Sequence, residues 1–324
     1  SEIVADLEEK FARRGRSLSP TSRKQALIPD GADILPNPVG TAPGVIWEPR
    51  KGLCLMTFPG VPWEMKTMWT ATAVPYLCAS GWANGVIHSQ MLKFWGLGET
   101  TLAEKVQAFL SAENPTVATY ALGGEVKLRI SAKAASIAAA NELIVPVADE
   151  IRRVTATACY GVDAETMAEV VGRQLMARSQ TLSVAESCTG GGLGQLLTAT
   201  PGSSSYFWGG IISYDNRVKQ GLLGVEASVL ETHGAVSLEV AEAMAVGVRD
   251  RLGTDWGISI TGIAGPGGGS AQKPVGLVYV GLATAGKTRT KKYLFGESLT
   301  RAQIRQRSAL SALDWLRTEL LREK

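Results

Sequence analysis

Three observations predict an α/β protein of more than one domain. The chain has 324 residues, longer than a single hydrophobic core usually organises. From Asp163 onward, stretches with helical periodicity alternate with short apolar stretches, the pattern of a sheet held between helices. Upstream the pattern changes twice, from a Pro- and Gly-rich region at 20–60 to a β-α-β-β-α succession.

The opening segment, SEIVADLEEKFARRG, places Val4, Leu7 and Phe11 at helical spacing and predicts a helix ending at Gly15. Nothing before it could start a domain, so a fragment or reduced version of a longer protein is expected. Between residues 20 and 60, apolar stretches such as Gly52–Phe58 read as buried strands stopped by Pro or Gly, and a helix is predicted from Pro62 to about Cys78. VIHSQMLKFWG then reads as a strand and ETTLAEKVQAFLS as an amphipathic helix. TVATYA and EVKLRISA follow as strands, and an Ala-rich helix spans Ala134–Val154. In the last part, TMAEVVGRQLMARS is a helix, TLSVAES a buried strand, GGLGQLLTA a helix and GGIISYD a strand. NRVKQGLLG is a short helix closed by Gly224, and SLEVAEAMAVGVRDRL a longer one capped by Ser237. DWGISITGI is a strand, VGLVYVGLAT and KTRTKKYLF form a hairpin, and Leu299–Leu321 closes the chain as a helix. Domain bounds of 1–80, 81–158 and 159–324 follow.

Composition limits the function. With 45% hydrophobic and 19% charged residues, and 33 basic against 30 acidic, the net charge is only +3. That balance argues against a general nucleic-acid binder. Cys54, Cys78, Cys159 and Cys188 lack CxxC spacing, so neither a zinc site nor a disulfide framework is expected. With no signal peptide and no apolar run of about eighteen residues, a cytoplasmic location without membrane contact is expected. His88 and His233 are the two histidines, which leaves histidine-dependent catalysis few places.

Three segments of the last domain sit at strand ends, where open α/β sheets bind ligands. AESCTGGG, residues 185–192, places Ser187 and Thr189 on a strand-to-helix turn, a geometry that exposes a nucleophile. The helix start at Gly190, Gly191 and Gly192 offers N–H groups to an anion. The alternative is a glycine-rich connection in which Ser187 caps the helix. SYDNRVK, residues 213–219, leaves Tyr214 at a strand end, lets Asp215 or Asn216 cap the next helix, and puts Lys219 one turn in. Lysine activates a serine only when held neutral by burial, whereas most lone lysines are solvated. ITGIAGPGGG, residues 260–269, can form an oxyanion hole or an anion nest, or be a plain loop. It is no P-loop, lacking GK[ST], and it does not match the dinucleotide fingerprint. A Ser-His-Asp triad would require His233, placed just before a predicted helix where it caps or packs. Without it, Ser-Lys is the economical arrangement, and the residue types leave Ser187, Thr189 and Thr261 open as nucleophile.

Taken together, AESCTGG, YDNRVK, HGAVS and SITGIAGPGGG followed by KPVG resemble the C-terminal domain of the CinA family, the competence/damage-inducible proteins. That domain also occurs alone as nicotinamide-nucleotide amidase, and the matching segments span residues 163–321 in order. RKQALIPDGADILPNPVGTAPG and FPGVPWEM resemble the end of the family's N-terminal, molybdopterin-binding-like domain, and residues 85–156 correspond to its middle KH-like domain. Two departures stand out. The strand and TGGLGPT-type loop that open the family's first domain are missing, which counts against its metal-dependent ADP-ribose pyrophosphatase activity here. The middle segment has no GxxG loop between two helices, so nucleic-acid binding by a KH mode is not supported.

The resemblance implies a fold of three parts: a partial molybdopterin-binding-like α/β domain, a small KH-like α+β domain and an α/β layered amidase domain. It implies hydrolysis of nicotinamide mononucleotide to nicotinate mononucleotide and ammonia, with Ser187 as nucleophile, Lys219 as base and Tyr214 relaying the proton or orienting the lysine. Backbone N–H groups near Thr189–Gly191 or Thr261, Gly262 and Ile263 would hold the oxyanion. Gly190–Gly192, Arg217 or Arg305 would meet the substrate phosphate, with Asn216 nearby. No cofactor or metal is expected for the amidase, a divalent metal only for the first domain if active, and the family implies a homodimer. The alternatives are the pyrophosphatase and a non-catalytic partner in DNA uptake or repair.

Overall fold

The computed structural model describes residues 2–13, 15–82 and 85–322, so Ser1 and Arg14 of the predicted first helix lie outside the described residues. The chain divides into two compact units, residues 1–86 and 87–324.

The first unit runs α1 (Glu2–Arg13), α2 (Pro20–Arg23), β1 (Ala32–Leu35), β2 (Gly44–Arg50), β3 (Leu53–Thr57), α3 (Pro62–Met68) and α4 (Val74–Ala79). A single π-turn, Trp69–Ala73, joins α3 to α4, so the helix predicted from Pro62 is present in three pieces. The strands form an antiparallel sheet in the order β1-β2-β3. Its core is small: Leu35, Ile46, Met68 and Ala73.

The second unit opens with β4 (Val86–Phe94), α5 (Glu99–Lys105), α6 (Gln107–Leu110), β5 (Thr116–Leu122), β6 (Glu125–Ala134), α7 (Ile137–Thr155) and β7 (Cys159–Val162). Strand β6 alternates as a half-buried strand should, with Val126, Leu128, Ile130 and Ala132 turned inward. Helix α7 starts on a Ser136 cap and buries Ala140, Ile144, Ala148, Ile151 and Thr155, a stripe at helical spacing that faces the sheet. The sheet order is β5-β6-β4-β7.

Strand β7 corrects the predicted β-α-β-β-α order and the domain bound at 158. Leu92 and Lys93 pair with Val162 and Gly161, so Cys159–Val162 belongs to the middle sheet. The bound at 80 shifts as well, to 86. Nor do the middle and last parts separate into two bodies. Trp95 and Tyr160 pack into the same apolar core as Val171, Leu313 and Leu316, and Arg317 donates to the Thr157 carbonyl.

The last part comprises α8 (Met167–Ala177), β8 (Leu182–Glu186), α9 (Gly192–Thr198), β9 (Phe207–Ile212), α10 (Asn216–Leu223), α11 (Ala227–His233), α12 (Leu238–Leu252), β10 (Trp256–Gly262), β11 (Leu277–Ala283), β12 (Thr288–Leu294) and α13 (Arg301–Arg322). The sheet order is β12-β11-β10-β8-β9, with β8 parallel to both neighbours and β10, β11 and β12 antiparallel in succession. Helix α12 packs on one face; α8, α9 and α13 cluster on the other. This is the predicted α/β layering. Sandwiched between helices, β8 is buried at every position, as parallel strands covered on both faces are. Ser237 caps α12 and Gly224 closes α10 in the left-handed conformation, both as predicted. Helix α11 was not expected: seven residues between Glu226 and Gly234 give too few turns for a periodic signal.

Candidate functional site

Parallel pairing of β8 with β9 and β10 brings the residues following these strands to one end of the sheet. Ser187 follows β8 directly, and its N–H donates to the Ile260 carbonyl at 2.9 Å, extending the ladder with β10. Asp215 caps α10 by accepting from Arg217 N–H at 2.8 Å, which starts the helix so that Lys219 turns inward one turn later. Lys219 is 1% exposed and Ser187 9%.

Lys219 Nζ lies 3.4 Å from Ser187 Oγ, 2.7 Å from the Ser213 carbonyl and 3.3 Å from the Tyr214 carbonyl. Ser213 is itself pinned by its N–H to the Glu186 carbonyl at 2.7 Å, which fixes that residue to the sheet. Burial pulls the Lys219 amine below its ordinary lysine value, against the opposing influence of Asp215 and Cys188. Cys188, next to Ser187, is buried among apolar neighbours, which pushes its thiol up to about 12.

Tyr214 joins the pair through its backbone. Its carbonyl receives the lysine, whereas its side chain is 61% exposed and its hydroxyl accepts from Arg301 Nη2 at 3.0 Å. Arg301 also donates to the Gly265 carbonyl at 2.8 Å, tying the start of α13 to the glycine loop. A cavity of about 670 Å³ lies beside it, lined by Pro266, Gly268, Ser270, Leu299 and Arg301 among others. Arg301 was not singled out from sequence, because nothing local marks one arginine at a helix start.

The expected anion donors at residues 190–192 are already engaged. Glu186 Oε2 accepts from Gly191 and Leu193 N–H, each at 3.0 Å, and Oε1 accepts from Gly194 N–H at 2.8 Å. Gly190 and Gly192 N–H donate to the Ser187 and Thr189 carbonyls at 3.1 and 3.2 Å. A substrate phosphate at this helix start would confront a carboxylate, so that expectation is withdrawn. Gly191 sits at φ +92°, a left-handed conformation that suits glycine and turns the chain into α9.

Ile263 N–H is likewise spent, on the Leu277 carbonyl at 2.8 Å, and Gly262 is paired opposite Val278. The Thr261 hydroxyl donates to the Ala235 carbonyl at 2.7 Å, which removes it as a rival nucleophile. Thr189 Oγ1 is buried without a hydrogen-bond partner, and its carbonyl accepts two bonds from Arg305, at 3.1 and 2.6 Å. Arg305 therefore braces the turn. Arg217 folds back onto Asp215 at 3.0 Å and is exposed, and Asn216 is exposed beside it; the structure brings neither to Ser187. His233 lies at the exposed end of α11, 3.5 Å from Glu239, which leaves no triad with Ser187.

Among the described residues no group of three or more His, Cys, Asp or Glu is placed to hold a metal ion. No helix among the described residues is long and apolar enough to cross a membrane.

Residues 164–320 match the family model of the CinA C-terminal domain, and residues 89–161 that of the damage-inducible protein CinA KH domain. A CinA-like protein of Nostoc punctiforme is 59% identical over 321 residues, covering 99% of this chain and 77% of that protein. One from Trichormus variabilis has the same identity and coverage. The crystal structure of competence/damage inducible protein CihA from Agrobacterium tumefaciens is 36% identical and covers 48% of this chain and 97% of its own, with a TM-score of 0.46. Identity at this level across nearly the whole sequence places the chain in the CinA family, with that family's KH-like and C-terminal domains.

Proposed function

We propose that the C-terminal domain hydrolyses the carboxamide of nicotinamide mononucleotide, giving nicotinate mononucleotide and ammonia. The observation that carries this reading is the set of partners around Lys219 Nζ. A neutral amine has two hydrogens and one lone pair. In the neutral state that burial favours, hydrogens directed at the Ser213 and Tyr214 carbonyls leave the lone pair facing the Ser187 hydroxyl, which then donates to it.

Ser187 Oγ attacks the carboxamide carbon while its proton passes to Lys219 Nζ. Lys219 then delivers that proton to the departing nitrogen, which leaves as ammonia. In the second half the lysine takes a proton from water, the resulting hydroxide adds to the acyl carbon, and the lysine returns that proton to Ser187 Oγ as nicotinate mononucleotide leaves. Arg301, with the cavity of about 670 Å³ beside it, would supply a cation for the phosphate end of the substrate.

Ammonia release from nicotinamide mononucleotide by the full chain, with and without EDTA, tests the reading. Ser187→Ala and Lys219→Ala are each expected to lower kcat by about a thousandfold or more, as removing half of a concerted pair does elsewhere. Activity should be unchanged by EDTA. Wild-type protein that releases no ammonia, or Ser187→Ala that keeps its rate, would sink the proposal.

A further inference from the structure

We infer that Glu186 is a positioning residue for the Ser187 hydroxyl; the inference deepens the Ser187–Lys219 reading above and rests on it. Glu186 ends β8 and is 2% exposed, and both its oxygens turn back to the N–H groups of Gly191, Leu193 and Gly194. A carboxylate is costly to bury unless donors of this kind surround it, and the start of a helix supplies them. The residue preceding the nucleophile is thereby tied to the residues that follow its turn.

The turn is held at both ends. Ser187 N–H is fixed on the Ile260 carbonyl at 2.9 Å, and the Ser187 carbonyl accepts from Gly190 N–H at 3.1 Å. Glu186 then holds Gly191, one residue further on, at 3.0 Å. Arg305 donates to the Thr189 carbonyl at 2.6 Å, so the same turn is held by a cation at Thr189 and by the Glu186 carboxylate at Gly191. The dependence on this bracing is sharp. Ser187 Oγ and Lys219 Nζ stand 3.4 Å apart, at the long end of hydrogen bonding, so a small rotation of the turn parts them.

Glu186→Gln probes the carboxylate without changing its shape. Its amide oxygen can replace one carboxylate oxygen, but its NH₂ must then face an N–H donor. In ammonia release by the full chain, this variant is expected to lose about 100-fold in kcat, the scale of a 1 Å misplacement, with KM unchanged. Formate, filling the space vacated in Glu186→Ala, is expected to restore part of the lost kcat.

A second readout is independent of the amide substrate: the rate at which Ser187 Oγ displaces fluoride from a fluorophosphonate, followed by intact mass with Ser187→Ala as blank. Labelling should slow in Glu186→Gln by a factor similar to the loss in kcat. If wild type labels faster than Glu186→Gln but releases no ammonia, the positioning role stands and the deamidase reading falls. Equal labelling rates, a wild-type Ser187 that takes no phosphonate, or a change confined to KM each overturn the positioning role. Loss of the fold in Glu186→Gln overturns it too, because the carboxylate is then a determinant of the fold and not of the turn.

Discussion

In the proposed mechanism only the free amine of Lys219 accepts a proton from Ser187, so the ionisation of this one residue would set how activity depends on pH. Burial lowers the amine from its ordinary value, so the rising limb of kcat/KM should fall at a lower pH than a solvated lysine would give. A pH–rate profile of ammonia release checks this; a limb at the value of free lysine would show the burial to be without catalytic effect. Cys188 gives an independent check on how closed the turn is. With its thiol pushed up to about 12, it should resist iodoacetamide in the folded protein, while the exposed Cys78 is alkylated. Peptide mapping after labelling reads the outcome, and activity should survive the treatment. At this scale the sequence singled out Ser187, Lys219 and Tyr214 as candidates because they sit in motifs at strand ends, and the structure brings Ser187 and Lys219 together while the Tyr214 hydroxyl turns to Arg301. The sequence concealed Glu186 and Arg301, whose roles depend on groups the fold brings back to them: the N–H groups of α9 for one, the Tyr214 hydroxyl and Gly265 carbonyl for the other. Thr261 misled for the converse reason, since its acceptor, Ala235, arrives from a separate segment.

Helix α12 shows how packing decides between opposing propensities. Gly247 lies within it, where replacement by alanine favours a helix by roughly 1 kcal/mol in isolation. Here a Cβ at Gly247 would stand 1.9 Å from the Leu223 carbonyl oxygen, at the end of α10, the helix that carries Lys219. Relieving such a clash with backbone typically costs about 1–3 kcal/mol or more, so Gly247→Ala should be destabilising in thermal or urea unfolding. It should also lower kcat, because α10 has to shift. Ser237→Ala, which removes the side-chain cap of the same helix, should cost about 1 kcal/mol and leave kcat unchanged. Caps and long elements of this kind were legible in advance: Ser237, Gly224, the Ala-rich helix now seen as α7 and the strand now seen as β6. Strand β7, of four residues, and helix α11, of seven, were not, because neither is long enough to complete a pattern.

Of the four apolar cores among the described residues, three lie within residues 87–324, and one of these joins Trp95 and Tyr160 to the core under α13. A chain trimmed to 87–324 should therefore fold and release ammonia at the full chain's kcat. A trimmed chain that is folded but inactive would assign residues 1–86 a part in the reaction. The sequence pattern marked three regions along the chain, but not that the last two share a core, because Trp95 and Tyr160 carry no sign of which sheet or helix they will face. The order of strands bears also on how the protein comes into being. Strands β10, β11 and β12 are neighbours in sequence and can zip together early, whereas β8 meets β10 only after the long stretch between Leu182 and Trp256 has been gathered in. Ser187 is fastened by that late closure, through its N–H to Ile260. A chain with only its β10–β12 hairpins formed would lack the bond that holds the Ser187 N–H, so this strand end takes its shape from a long-range pairing and not from a local one.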